Sequence, residues 1–173
     1  ILYVPPEVGF PARSMGAGTR GTGRVATVQI LAPDHLGYTT REQPTLYWYL
    51  AEPTSTRIEF AIHDETSVEP LAVVELPSPA QPGIQALRLA DHGVKLQPGV
   101  RYLWFVSLVP EPERRSKDFV VGGWIARSEP DATLGGKLAA AEGRDALVYA
   151  ESGLWYDAIG SLSARIAAAP AEP

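Results

Sequence analysis

The run Leu96-Gln97-Pro98-Gly99-Val100-Arg101-Tyr102-Leu103-Trp104-Phe105-Val106 decides the fold. Pro98-Gly99 sets a turn, because proline pre-sets the first corner and glycine tolerates the second. Tyr102 then opens an alternating strand, Arg101–Val109. Outward from it, short runs of strand character recur between Pro and Gly punctuation: residues 25–32 (VATVQILA), 45–51 (TLYWYLA), 57–63 (RIEFAIH), 71–76 (LAVVEL), 84–89 (IQALRL) and Phe119–Arg127. In 57–63 the alternation is clean: Ile58, Phe60 and Ile62 point one way, Arg57, Glu59, Ala61 and His63 the other. These seven candidate strands have no helical pattern between them, which predicts a mainly β, antiparallel sandwich and argues against a parallel sheet.

The texture differs at both ends. Residues 1–24 are rich in Pro and Gly, carry Arg13, Arg20 and Arg24, and show no periodicity. They are expected to form an extended arm against the body or a partner. After Ser128 the chain becomes Ala-rich. Leu154, Trp155, Ala158, Ile159, Leu162 and Ile166 recur at helical steps, with Asp157, Gly160, Ser161 and Arg165 mostly on the opposite face. Pro170 stops that helix. The expected organisation is an arm (1–24), a β-sandwich domain (25–128) and a C-terminal helical hairpin with tail (129–173).

Composition bounds the function. The chain has 173 residues, enough for a core without staples, and no cysteine, which removes disulfides, thiolate metal sites and a thiol nucleophile. Its net charge of −5 provides no global attraction for nucleic acid or anionic lipid. No apolar run reaches the ~18–20 residues of a membrane helix. The start, ILYVPPEVGF, lacks Met and a signal peptide pattern, as expected of a cleaved precursor or a trimmed chain.

The Pro98-Gly99 turn followed by Tyr102 resembles the tyrosine corner of fibronectin type III and other immunoglobulin-like sandwiches, where the tyrosine hydroxyl bonds back to the preceding backbone. The resemblance covers roughly residues 44–109 and implies Trp48 or Leu46 as a core residue. Further patterns run across the whole chain in order: Gly16-x-Gly18-Thr19-Arg20-Gly21, Leu36-Gly37-Tyr38-Thr39-Thr40, Pro44-Thr45-Leu46-Tyr47-Trp48-Tyr49, Arg115-Ser116-x-Asp118, Gly123-Trp124-Ile125, and Tyr149-Ala150-x-x-Gly153-Leu154-Trp155-Tyr156-Asp157-Ala158. Together they resemble the DUF928 family, a bacterial family of unknown function. That resemblance implies export behind a removed signal peptide, and hence a periplasmic or extracellular location. Members often carry cysteines in the arm and near the Arg-Ser-x-Asp motif; here a disulfide tether of the arm is unavailable to the chain. Tyr149, Gly153, Trp155, Ala158 and Pro170 also resemble a fragment of a tetratricopeptide repeat, with Arg165 breaking the pattern. A lone hairpin of that kind needs a neighbour, and the β body is the obvious one.

Chemistry-bearing motifs are sparse. His35, His63 and His92 each flank an Asp, yet none has metal-ligand spacing to another His, and no G-x-S-x-G elbow occurs. They read as surface or turn histidines. Gly16–Gly21 matches G-x-G-x-x-G, but an arm precedes it and a strand-like run follows, so the strand and helix that a dinucleotide site needs are missing. Arg114-Arg115-Ser116-Lys117-Asp118 reads as a solvated loop in which Arg115 and Asp118 pair. No catalytic set, cofactor or metal is expected. The leading expectation is a non-enzymatic module that works by protein contact, in an envelope or extracellular assembly. Arg13, Arg20, Tyr47, Tyr49, Arg115, Trp155 and Tyr156 are its candidate interaction residues. The alternative is a carbohydrate- or small-ligand-binding sandwich that uses exposed aromatics.

Overall fold

The computed structural model describes residues 2–6, 15–16, 28–77 and 80–169. Strand outweighs helix, 36% to 23%, so the chain is mainly β. The strands are β1 (Met15–Gly16), β2 (Val28–Ile30), β3 (Gly37–Thr39), β4 (Thr45–Leu50), β5 (Arg57–Asp64), β6 (Ala72–Leu76), β7 (Gly83–Arg88), β8 (Arg101–Val109) and β9 (Phe119–Arg127). Three helices close the chain: α1 (Leu134–Ala139), α2 (Asp145–Glu151) and α3 (Trp155–Ala168).

Two sheets face each other. The larger runs β1-β9-β8-β5-β6, and the smaller runs β2-β4-β7. On the larger sheet, the edge of β9 not taken by β8 is shared: β1 pairs antiparallel at Val121 and Gly122, and β3 pairs parallel from Ile125 to Arg127. That parallel pair departs from the all-antiparallel expectation. A three-residue strand gives too short a pattern to be read, and its partner is far away in sequence.

Alternation explains the core. Leu46, Trp48 and Leu50 of β4 meet Ile58, Phe60 and Ile62 of β5 and Tyr102, Trp104, Val106 and Leu108 of β8 in one buried cluster. Both Leu46 and Trp48 are inside. The two longest strands have the bounds read from the sequence: β8 is an alternating run, and β9 is an apolar run bounded by the 115–118 loop and by Ser128.

The Leu96–Val106 corner closes as its sequence implies. Tyr102 is buried, and its hydroxyl accepts the Gln97 backbone N–H at 2.9 Å. The Gly99 N–H donates to the Arg127 carbonyl at 3.1 Å, which joins this corner to the end of β9. The C-terminal third departs from a two-helix hairpin. Only Leu134–Ala139 of its first half is helical, and the hairpin proper is α2–α3. Paired glycines at 135 and 136 account for the brevity of α1, since each weakens a helix interior.

Tyr102→Phe keeps the ring and orphans the Gln97 N–H. It should lower unfolding free energy by about 1–3 kcal/mol, read as a lower urea midpoint at unchanged slope.

Candidate functional site

Helix α3 is seated by its first turn. The Trp155 indole N–H donates to the Leu31 carbonyl at 3.0 Å. The Tyr156 hydroxyl accepts from the Trp104 indole at 3.0 Å and donates to the Trp124 carbonyl at 2.9 Å, which ties the helix to the core of the larger sheet. Gly37 makes room for that ring: a Cβ there would stand 2.5 Å from Tyr156 Cε2. Burial pushes the Tyr156 hydroxyl pKa well above its ordinary value.

Asp157 is wholly buried. It accepts the Thr39 hydroxyl at 3.0 Å, the Thr40 N–H at 2.7 Å and the Thr40 hydroxyl at 3.1 Å, with Arg41 Nε at 3.3 Å. Its place in the first turn of α3 also suits a negative charge. Burial raises its pKa, and the bonds from Thr40 and Thr39 and the charge of Arg41 only partly oppose this.

The periodicity of α3 placed Asp157 on the solvent side and Leu162 and Ile166 on the buried side. The structure reverses both ends of that assignment. Asp157 is inside, whereas Leu162 is 40% and Ile166 65% exposed. The helix is fastened at its N-terminal turn, and its C-terminal half overhangs the outer face of the smaller sheet. Between them lies an apolar groove of about 360 Å³. Ile159, Leu162 and Ile166 form one wall, and Tyr47, Ile84 and Ala86 form the other. Tyr47 stands opposite Ala86 and Tyr49 opposite Ile84 across the β4–β7 ladder, which brings these outward side chains together. Ile84 is 64% and Tyr49 41% exposed.

The sequence-nominated residues divide accordingly. Tyr47 lines the groove, nearly covered, and Tyr49 is open beside it. Trp155 is half-buried with its N–H engaged. Tyr156 is corrected: it is buried at 2% exposure and works in internal packing. Arg115 is engaged too. It grips Glu59 at 3.2 and 2.5 Å and Asp118 at 2.7 Å, so the Arg-Ser-x-Asp loop pairs as its charge pattern implies. Glu59 and Glu75 are directly opposed across β5–β6, and Arg57 bridges them at 2.6 and 3.1 Å. The hydrogen bond from Arg115, ahead of the charges of Arg115 and Arg57, holds the Glu59 carboxyl below its usual range despite its burial. Arg13 and Arg20, like the Gly16–Gly21 motif apart from Gly16 itself, lie outside the described residues. Leu162, Ile166 and Ile84 were missed as site residues. For Leu162 and Ile166 the signal was present, as an apolar helical stripe that continues beyond the stretch the body covers; Ile84 is an outward residue of β7.

The histidines are separate. His35 contacts Tyr3 and Asp34, His63 lies edge-on to Phe105, and His92 is in a 3₁₀ turn. Among the described residues no group of three His, Asp or Glu could hold a metal. Ser163, His92 and Asp91 border one depression, but the Asp91 carboxylate is taken by Arg88 at 3.0 Å. No described helix is long and apolar enough to cross a membrane.

The family model described as Domain of Unknown Function (DUF928) matches residues 15–173. No curated protein matches. A solved engineered protein, with a crystal structure at 1.98 Å, is similar over 60% of this chain and 20% of its own, at 8% identity and a TM-score of 0.40. The chain therefore spans about a fifth of the length of that structure.

Because the Asp157 pKa is raised on folding, its protonation favours the native state. The stability of the parent relative to Asp157→Asn should grow as pH falls through the raised value, and level off below the ordinary value of 3.8. Urea unfolding of both proteins between neutral and acidic pH checks this. Asp157→Ala should cost about 1–3 kcal/mol at neutral pH, because it orphans the Thr39 and Thr40 donors.

Proposed function

The chain belongs to the DUF928 family, and from that premise we propose that it is a non-enzymatic, exported protein-interaction module of the periplasm or extracellular space. Its contact face is the α3–β7 groove, and its partner is another protein within a larger envelope assembly. The observation that carries this is the exposed end of the α3 stripe: Leu162 and Ile166 lie beside Ile84 and Tyr49 with nothing in the described chain covering them. A helical stripe of this kind normally packs against the body. Contiguous exposed apolar surface rimmed by polar residues is the usual mark of a protein contact. Arg88, Asp91 and His92 supply that rim in the adjoining depression, which shares Tyr47, Ala86 and Ser163 with the groove. The elongated groove beside a helix suits the apolar ridge of a partner helix. Arg115 belongs to this proposal only as a scaffold residue, and Trp155 only as the wall that seats α3.

The carbohydrate-binding alternative has less support. Stacking on a sugar needs an open aromatic face, and among the described aromatic residues Tyr49 is the exposed ring, while Tyr47 and Trp155 are largely covered. A likeness of the α2–α3 pair to a tetratricopeptide hairpin, and of the two sheets to an immunoglobulin-like sandwich, fits the same role but carries no part of the argument.

Ile166→Lys and Ile84→Lys alter exposed positions, so each should change stability by no more than about 0.5 kcal/mol. Capture from a native envelope extract with the parent should recover a discrete partner, and both variants should lose it. Recovery of the parent alone, as a monomer, would sink the proposal.

A further inference from the structure

Residues 2–6 contain no helix or strand, yet they are held by a defined set of contacts. The Val4 N–H donates to the Ala150 carbonyl at 3.1 Å, at the last turn of α2. The Tyr3 ring lies edge-on to Trp155, with centroids 5.0 Å apart, and stacks on His35 at 5.6 Å. Its hydroxyl is 2.9 Å from His35 Nε2 and 3.4 Å from the Gly153 carbonyl. Burial, with the charge of Tyr38 adding to it, pushes the Tyr3 pKa up to about 12. Pro6 and the Val4 carbonyl lie against Gly153: a Cβ there would meet the Val4 oxygen at 3.3 Å and Pro6 Cδ at 3.4 Å. Gly153 is thus needed twice, for its φ of 73° in the α2–α3 turn and for this close approach.

The receiving surface also has hydrogen bonds of its own. The Trp155 indole is fixed by Leu31, the Leu154 N–H by the Tyr149 carbonyl, and the Gly153 N–H by the Ala150 carbonyl. A small apolar cavity of about 210 Å³, lined by Ala146, Ala150, Trp155 and Ala158, continues beside the Tyr3 ring. This is a groove with one aromatic socket, one backbone acceptor and a glycine floor. Those elements read an extended segment by an aromatic ring at Tyr3, a backbone N–H and carbonyl at Val4 and the ring of Pro6, while the Val4 side chain and Pro5 stay exposed. Prolines suit such a site because the extended form costs them little entropy.

We propose that the α2–α3 turn, with His35 and Trp155, is a binding groove for an extended aromatic–x–x–Pro segment, filled in cis by residues 2–6 and in trans by the same residues of a second copy. The occupant is identified by the segment already seated there: a second copy presents the same Tyr3-Val4-Pro5-Pro6 and can make every contact above. Exchange of an identical element conserves those contacts and therefore costs little beyond association. Eight residues, 7–14, separate the segment from β1 in sequence. A chain of that length can span up to about 25–30 Å, enough to reach a neighbouring copy. Leu2 and Val4 direct their side chains largely to solvent, at 77% and 46% exposure, so the docked segment leaves apolar surface outward.

The test uses the full chain with Tyr3→Ala and Val4→Pro, which removes the ring and the donating N–H and leaves the groove intact. A blocked synthetic peptide of residues 1–6 is titrated into it while the Trp155 indole N–H resonance is followed. Saturable displacement of that resonance at or below millimolar peptide is expected, and addition of His35→Ala should weaken it several-fold. The same chain is then mixed with a full chain that carries His35→Ala and Gly153→Ala but an intact segment. A mixed dimer in sedimentation, absent from either variant alone, is expected. No shift of the Trp155 signal overturns the groove, and peptide binding without a mixed dimer overturns the second copy as its occupant. Neither arm touches Ile84 or Ile166, so these outcomes are independent of the α3–β7 contact face.

Discussion

A carboxylate with no solvent exposure fixes the position of helix α3. Asp157 must find donors in the body, and it finds them at Thr39 and Thr40. Those donors are in place because β3 pairs parallel to β9, and because Thr39 is itself buried and accepts the Arg41 N–H at 3.1 Å. An unpaired buried carboxylate would cost several kcal/mol, so the helix has one seat rather than several. Tyr156 uses the same seat from the other side: it reaches past Gly37 to bond with Trp104 and the backbone of β9.

The remaining surface features follow from that seat. A helix of 14 residues fastened by its first turn carries its far half out over the smaller sheet. There the apolar stripe meets β4 and β7 at an open groove instead of a closed interface. At the near end, the turn through Gly153 leaves a carbonyl, a glycine floor and the Trp155 ring to receive residues 2–6. One polar anchor therefore sets two apolar surfaces along one helix, which meet at Ile159 and Leu162. The ion network around Glu59 has no such role: it reconciles two opposed glutamates and stiffens a face of the larger sheet.

The sequence was legible where a pattern is local. The Pro98-Gly99 turn, the alternating strands β5 and β8 and the inward Leu46–Trp48–Leu50 set follow from turn chemistry and a period of two, and the Tyr102 hydrogen bond from the resemblance of that turn to a tyrosine corner. β3 was illegible because three residues carry no period and its partner is almost ninety positions away. Asp157 was misplaced for a different reason. Helical periodicity averages over a face and cannot see a set of donors that the sheet brings to one turn. The same averaging hid the exposed end of the stripe: Ile166 has the spacing of a core residue and lies past the edge of the body. The internal role of Tyr156, nominated as an interaction residue, was not legible because its two hydrogen-bond partners come from β8 and β9, more than thirty residues upstream.

The central claim, that the free half of α3 and the outer face of β7 form one contact face, is tested most directly by photo-crosslinking in cells that produce the chain. A photoreactive residue is placed at position 166, and in a second protein at position 73, which is exposed on β6 of the other sheet. The account predicts a discrete adduct from position 166 and none from position 73. Equal labelling from both positions, or no adduct from 166, would contradict it.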